Sequence, residues 1–193
     1  MTHRPARSER KTLCVFCGAK GGADPRWALA AGEFGAQVAR RGWALIYGGG
    51  RVGLMGALAD GALSQGGEVI GVIPTRLMER ELAHRGLTRL EVVADMAVRK
   101  QRMVELSDAF AALPGGLGTL DELFEVLTLR QIGEHALPLV LYNQAGYWDR
   151  LVAACRAMVD DGFVHPHDLD AMQVGASVGE VLDLLERGLP MRV

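Results

Sequence analysis

The sequence predicts an α/β fold: an open parallel sheet with helices on both faces, in a single domain. Three observations lead there. Apolar runs of strand length recur along the chain, helical patterns fill the gaps between them, and glycine clusters stand directly before two of the helices. In chain order the strand runs are Thr12–Cys17, Ala44–Tyr47, Glu68–Ile73, Leu90–Val93, Ala109–Leu113 and Leu139–Tyr142. They are continuous rather than alternating, as strands buried on both faces must be. The expected helices are Pro25–Arg41, Val52–Gln65, Met96–Leu106, Leu120–Ile132, Trp148–Asp161 and Val178–Arg187. Strand–helix alternation of this kind builds parallel sheets.

The chain has 193 residues, enough for one domain with its own core. Residues 1–10 read as a flexible, basic N-terminal arm, and residues 11–193 as the domain. A formal net charge of −2 argues against nucleic acid as a partner, because no broad basic field is available. No apolar run approaches the length of a membrane span, and no signal peptide is evident. Cys14, Cys17 and Cys155 do not make a disulfide framework, so the cytoplasm is the expected location. Cys14 and Cys17 form a C-x-x-C, but inside a strand their side chains point to opposite faces, which disfavours a metal or redox site. His165-Pro166-His167 reads as an exposed loop pair with no third ligand nearby. Neither a metal nor an organic cofactor is expected.

Open α/β sheets bind ligands at the carboxyl ends of their strands, where the glycine clusters fall. The first cluster, Tyr47-Gly48-Gly49-Gly50-Arg51-Val52-Gly53-Leu54-Met55-Gly56, contains G-x-G-x-x-G in a strand–turn–helix context. Glycine lets backbone N–H groups approach an anion, and a helix N-terminus adds partial positive charge. A dinucleotide site is the obvious expectation. However, the next strand ends in Pro74-Thr75, without the acidic residue that takes a ribose hydroxyl pair. The second cluster is Leu113-Pro114-Gly115-Gly116-Leu117-Gly118-Thr119-Leu120-Asp121-Glu122. It suits an anion, yet it is no P-loop, since no Lys-Ser/Thr pair follows the last glycine. Phosphoryl transfer is therefore disfavoured, and a small phosphorylated ligand, most simply a nucleotide, is the expectation. Thr119-Leu120-Asp121-Glu122 also fits a capping box, with Thr119 as N-cap. Spacing alone favours that bland role for Glu122. Arg99, Lys100 and Arg102 supply nearby cations, though a solvated helix face is the usual explanation of such residues.

Several segments together resemble the Lonely Guy family of cytokinin riboside 5′-monophosphate phosphoribohydrolases. They are Tyr47–Gly56, Met96-x-x-Arg99-Lys100-x-x-Met103, Ser107–Pro114 and Pro114-Gly-Gly-Leu-Gly-Thr-x-x-Glu122. The likeness runs from about Leu13 to about Phe163, taking in Gly146-Tyr147-Trp148 and Asp161-Gly162-Phe163. It implies a Rossmann-like fold and a homodimer that hydrolyses the N-glycosidic bond of an adenine-type nucleoside 5′-monophosphate. By motif match, Arg99 and Glu122 are the implied catalytic pair. The implied substrate contacts are Glu81, Lys100, Gly115, Gly116, Leu117, Gly118, Thr119, Leu120, Asp121 and Thr128, with Gly49 and Gly50 of the first loop. Two positions depart from the family pattern: Ala97 where histidine is common, and Lys20 where serine is usual. Both bear on base preference, and neither removes an implied catalytic group.

The implied chemistry is physically coherent. Breaking an N-glycosidic bond builds positive charge on the ribose, which a nearby carboxylate stabilises most in the transition state. The alternatives are a broader nucleosidase acting on AMP, with the same catalytic groups, and a non-catalytic nucleotide or cofactor carrier. A carrier needs the glycine loops but not Arg99 together with Glu122.

Overall fold

The computed structural model describes residues 10–78 and 83–190. The chain divides into two compact units, Met1–Val15 with Ala19–Asp108, and Phe16–Gly18 with Ala109–Val193. The segment expected as a flexible arm lies almost wholly outside the described residues.

The first unit holds β1 (Thr12–Phe16, whose last residue belongs to the second unit), β2 (Ala44–Tyr47), β3 (Val69–Pro74) and β4 (Arg89–Val93). These strands pair in parallel in the order β4-β3-β2-β1. Its helices are α1 (Arg26–Arg40), α2 (Gly53–Ser64), the short α3 (Thr75–Met78) and α4 (Met96–Leu106). Every residue of β2 and β3 is buried, which requires cover on both faces of the sheet. The expectation of a fully buried strand fails at β4. Arg89 is exposed and Val92 is 50% exposed, because β4 ends the strand order and pairs only with β3 among the described residues. At the start of β1, Thr12 donates its N–H and its hydroxyl to the buried Asp108 carboxylate, both at 2.9 Å.

Helices α1 and α2 approach until their backbones touch. A Cβ on Gly35 would lie 2.0 Å from the Leu58 carbonyl oxygen, and one on Gly61 would lie 2.0 Å from that of Gly32. These glycines are needed for approach, not for conformational freedom.

The second unit holds β5 (Ala109–Ala112), β6 (Leu139–Tyr142) and β7 (Met172–Gly175), again parallel and in that order. Its helices are α5 (Leu117–Gln131), α6 (Asp149–Asp160), α7 (Pro166–Leu169) and α8 (Val178–Gly188). Strand β7 was not expected from the sequence. Its residues Gln173 and Val174 are exposed and only Met172 and Gly175 are buried, so it lacks an apolar run. Helix α8 has a side-chain cap: Ser177 accepts from the Glu180 N–H at 3.2 Å, and the Glu180 carboxylate accepts from the Ala176 N–H at 2.8 Å. Cys14, Cys17 and Cys155 are all buried thiols, Cys14 in the core of β1 and Cys17 just past its end. Among the described residues no helix is long and apolar enough to cross a membrane.

The α1–α2 crossing predicts an asymmetry between glycines. Gly35→Ala gains helix propensity but forces the helices apart, so it destabilises by about 2 kcal/mol in a denaturant titration. Gly179→Ala in α8, where nothing lies within 4 Å, is neutral or stabilising in the same measurement.

Candidate active site

In the first unit the chain leaves β2 through Gly48, Gly49 and Gly50 and enters α2 at Gly53, with Val52 as an extended N-cap. Gly49 has φ +80° and Gly53 has φ +64°, a region that side chains rarely adopt. A Cβ on Gly53 would also lie 2.3 Å from the Ala19 carbonyl oxygen. The three consecutive glycine carbonyls each accept a hydrogen bond. Arg99 Nη2 donates to Gly48 O (3.3 Å), His84 N–H to Gly49 O (2.9 Å) and the Tyr47 hydroxyl to Gly50 O (3.1 Å).

Arg99 stands on α4, whose start is fixed by Asp95, the side chain of which accepts from the Val98 N–H at 2.9 Å. Its side chain is not on a solvated face: the residue is 5% exposed, against Gly48 and the Met96 sulfur. A Cβ on Gly48 would lie 2.0 Å from Arg99 Nη2, so the glycine is what admits the guanidinium. Burying that charge is costly without polar partners, and the Gly48 carbonyl is one. Lys100 is half-buried. The remaining cation, Arg102, is structural. It grips Glu91 of β4 with two nitrogens, at 2.7 and 3.2 Å, and ties α4 to the sheet edge. Glu81 lies outside the described residues.

In the second unit β5 runs into the loop Leu113–Gly116, and α5 begins at Leu117. The expected capping box is not formed. The N-cap is Gly116, in extended conformation and with no side-chain cap bond, so Thr119 sits inside the first turn and Glu122 beyond it. Leu117 and Gly118 wind into the helix, and the Leu120 N–H already bonds Gly116 O at 3.1 Å. The N–H groups of Leu117, Gly118 and Thr119 thus lack a capping side chain. Gly115 is fixed by packing, since a Cβ there would lie 2.1 Å from Thr119 Oγ1. Gly116 and Gly118 face open space. The Tyr147 hydroxyl donates to Gly115 O at 2.6 Å, and the Trp148 indole donates to Ala112 O at 3.3 Å, clamping the strand end.

Glu122 is 8% exposed on α5 beside Leu123, a carboxylate placed in the interior rather than at a helix end. Asp121 and Thr128 lie on a different face. With Phe124, Glu125 and Leu129 they line a groove of about 330 Å³. Leu120 is half-buried, and Leu117 is 85% exposed. His165 and His167 face one another through Nδ1, and His167 Nε2 is 3.0 Å from Asp168. No group of three or more metal-ligating His, Cys, Asp or Glu residues gathers among the described residues. No sequence signal gives Tyr47, His84 and Tyr147 their supporting roles, although Tyr47 and Tyr147 fall within the motifs quoted above. Asp95 carries one, as a capping type just before a helical pattern.

An α/β chain whose strand ends carry glycine turns, with a buried arginine on one and a buried carboxylate beyond the other, belongs to the nucleotide-handling class of parallel-sheet proteins. Residues 55–185 match the family described as "Possible lysine decarboxylase". Cytokinin riboside 5′-monophosphate phosphoribohydrolase LOG1 of Arabidopsis thaliana is 41% identical over 95% of this chain and 86% of its own length. The enzyme of the same name from Rhodococcoides fascians is 48% identical over 83% of this chain and 82% of its own. The chain belongs to this phosphoribohydrolase family, the Lonely Guy family. Among solved structures, the molybdenum cofactor binding protein of Rippkaea orientalis aligns with a TM-score of 0.71 at 24% identity, covering 93% of this chain and 98% of its own. That likeness establishes the shared Rossmann-like fold.

The Glu91–Arg102 clamp carries a pH signature. The Arg102 hydrogen bond is the largest influence on the Glu91 carboxyl and holds it below its ordinary value of 4.5. A carboxylate with a depressed folded pKa stabilises the fold above its unfolded pKa, and that contribution disappears as pH falls through the folded value. Glu91→Gln should therefore cost up to about 1 kcal/mol near neutrality. The gap from the parent protein should close as the pH is lowered below 4.5. Urea unfolding across that range measures it, and a gap independent of pH would contradict the clamp.

Proposed function

We propose that this protein hydrolyses the N-glycosidic bond of N6-modified adenosine 5′-monophosphates, releasing the free cytokinin base and ribose 5-phosphate. One observation carries the reading: the uncapped glycine start of α5 is followed, within the same helix, by the buried carboxylate of Glu122. The N–H groups of Leu117, Gly118 and Thr119 take the 5′-phosphate, helped by the partial positive charge of the helix end. Gly116 and Gly118 have no packing reason to lack a side chain, and a ligand's close approach supplies one.

Glu122 then faces the reacting end of the ribose. As the bond from C1′ to the base nitrogen breaks, its electrons pass to the base and positive charge grows on C1′ and the ring oxygen. The carboxylate stabilises that charge and orients the attacking water. The water oxygen bonds to C1′, and its protons end on the released base and the new hydroxyl. Arg99 is the second catalytic group, its guanidinium fixed by the Gly48 carbonyl so that one orientation persists. From the family resemblance alone, Lys100, Glu81, Gly49, Gly50, Asp121 and Thr128 are further proposed substrate contacts, although Asp121 and Thr128 line a face of α5 other than that of Glu122. No cofactor enters these steps. The family resemblance implies that the protein works as a homodimer, and the cytoplasm is its expected location.

Glu122→Gln is the test of the mechanism. Product chromatography after incubation with N6-isopentenyl-AMP should show base release slowed by about a hundredfold or more, with substrate binding retained. Release at the parental rate would remove Glu122 from catalysis. Running AMP alongside separates a cytokinin-selective enzyme from a broader nucleosidase, and no free base from either would leave a carrier.

A further inference from the structure

We infer that His84 is a positioning residue for Arg99, acting through the peptide backbone of Gly48 and Gly49. The inference rests on the proposed catalytic role of Arg99. His84 is 7% exposed and lies in a segment that touches the glycine loop at two backbone points. Ala83 forms an antiparallel bridge with Gly50, and the His84 N–H donates to Gly49 O at 2.9 Å. This short stretch holds the outer side of the same loop whose Gly48 carbonyl receives Arg99 at 3.3 Å.

The backbone contacts need no histidine, but the ring has work of its own. Its Nδ1 lies 3.1 Å from the Gly86 nitrogen, which can only donate, so Nδ1 is the acceptor and the ring proton sits on Nε2. Nε2 is 3.0 Å from Asp60 Oδ1 and donates to it. Asp60 belongs to α2, the helix into which the glycine loop runs. The imidazole therefore staples its segment to the helix that continues the loop, and closes a ring of contacts: loop, α2, Asp60, His84 and back to Gly49. Within that ring the Gly49 peptide cannot rotate without breaking the His84 bond, and Gly49, at φ +80°, carries no side chain to hold it. Releasing the staple lets the adjoining Gly48 carbonyl shift and Arg99 move with it. A displacement of that kind, remote from the reacting bond, lowers turnover more than substrate affinity.

The experiment compares His84→Ala, His84→Gln, Asp60→Ala, the double alanine variant and Arg99→Ala in release of base from N6-isopentenyl-AMP. Circular dichroism melts fix a temperature at which each protein is folded. His84→Ala should lose about tenfold in kcat while KM changes by less than about twofold. Asp60→Ala, at a side chain 71% exposed, should lose turnover in the same direction, and the double variant should be no worse than His84→Ala. His84→Gln, whose amide can still reach Asp60, should recover part of the loss. The inference is overturned if His84→Ala, or both His84→Gln and Asp60→Ala should His84→Ala fail to fold, keeps kcat within about twofold of the parent while Arg99→Ala is inactive. Multiplying losses in the double variant also overturn it, since the two side chains would then act separately. Full turnover by Arg99→Ala is a different failure: it removes the catalytic role of Arg99, and the inference with it.

Discussion

A helix that begins without a capping side chain leaves its first N–H groups in need of an acceptor, and α5 is such a helix. Gly116 occupies the N-cap and has nothing to offer those donors. The surrounding structure fixes that helix start in place rather than satisfying it. Tyr147 and Trp148 hold the strand-end carbonyls of Gly115 and Ala112, and Gly18 N–H holds Pro114 O at 3.1 Å. A rigid, under-satisfied helix end is what anion recognition requires, because the donors point outward at no reorganisation cost.

The glycines divide by what would collide with a side chain. Gly48, Gly53 and Gly115 are demanded by the protein itself, through Arg99, Ala19 and Thr119. Gly116 and Gly118 meet nothing, so any constraint on them comes from outside the chain. The first loop is built the opposite way to the second. Its carbonyls are all engaged, by Arg99, His84 and Tyr47, and one of those bonds holds a buried cation.

Most of the fold was legible because buried parallel strands are apolar throughout. The runs at Ala44–Tyr47 and Leu139–Tyr142 and the helix Met96–Leu106 match the structure residue for residue. Edge positions blurred the pattern: Leu90–Val93 proved half-exposed, and Met172–Gly175 carried too few apolar residues to be noticed. In the site, the T-x-x-E spacing pointed to the wrong helix start. Glycine and leucine at 116–118 do not announce a helical turn, whereas Thr119 imitates a cap, so local propensity lost to the packing of Gly115 on Thr119. Burial of Arg99 and Glu122 was not legible at all. Charged residues are usually solvated, and only the three-dimensional packing marks these two as exceptions. His84 and Tyr47 act on backbone carbonyls of the glycine loop, and no spacing rule encodes such bonds.

The most direct test is a crystal structure of the Glu122→Gln protein with AMP bound. The account predicts the 5′-phosphate against the N–H groups of Leu117, Gly118 and Thr119, and C1′ of the ribose facing the residue-122 side chain. A phosphate seated elsewhere, with residue 122 turned from the sugar, would contradict it.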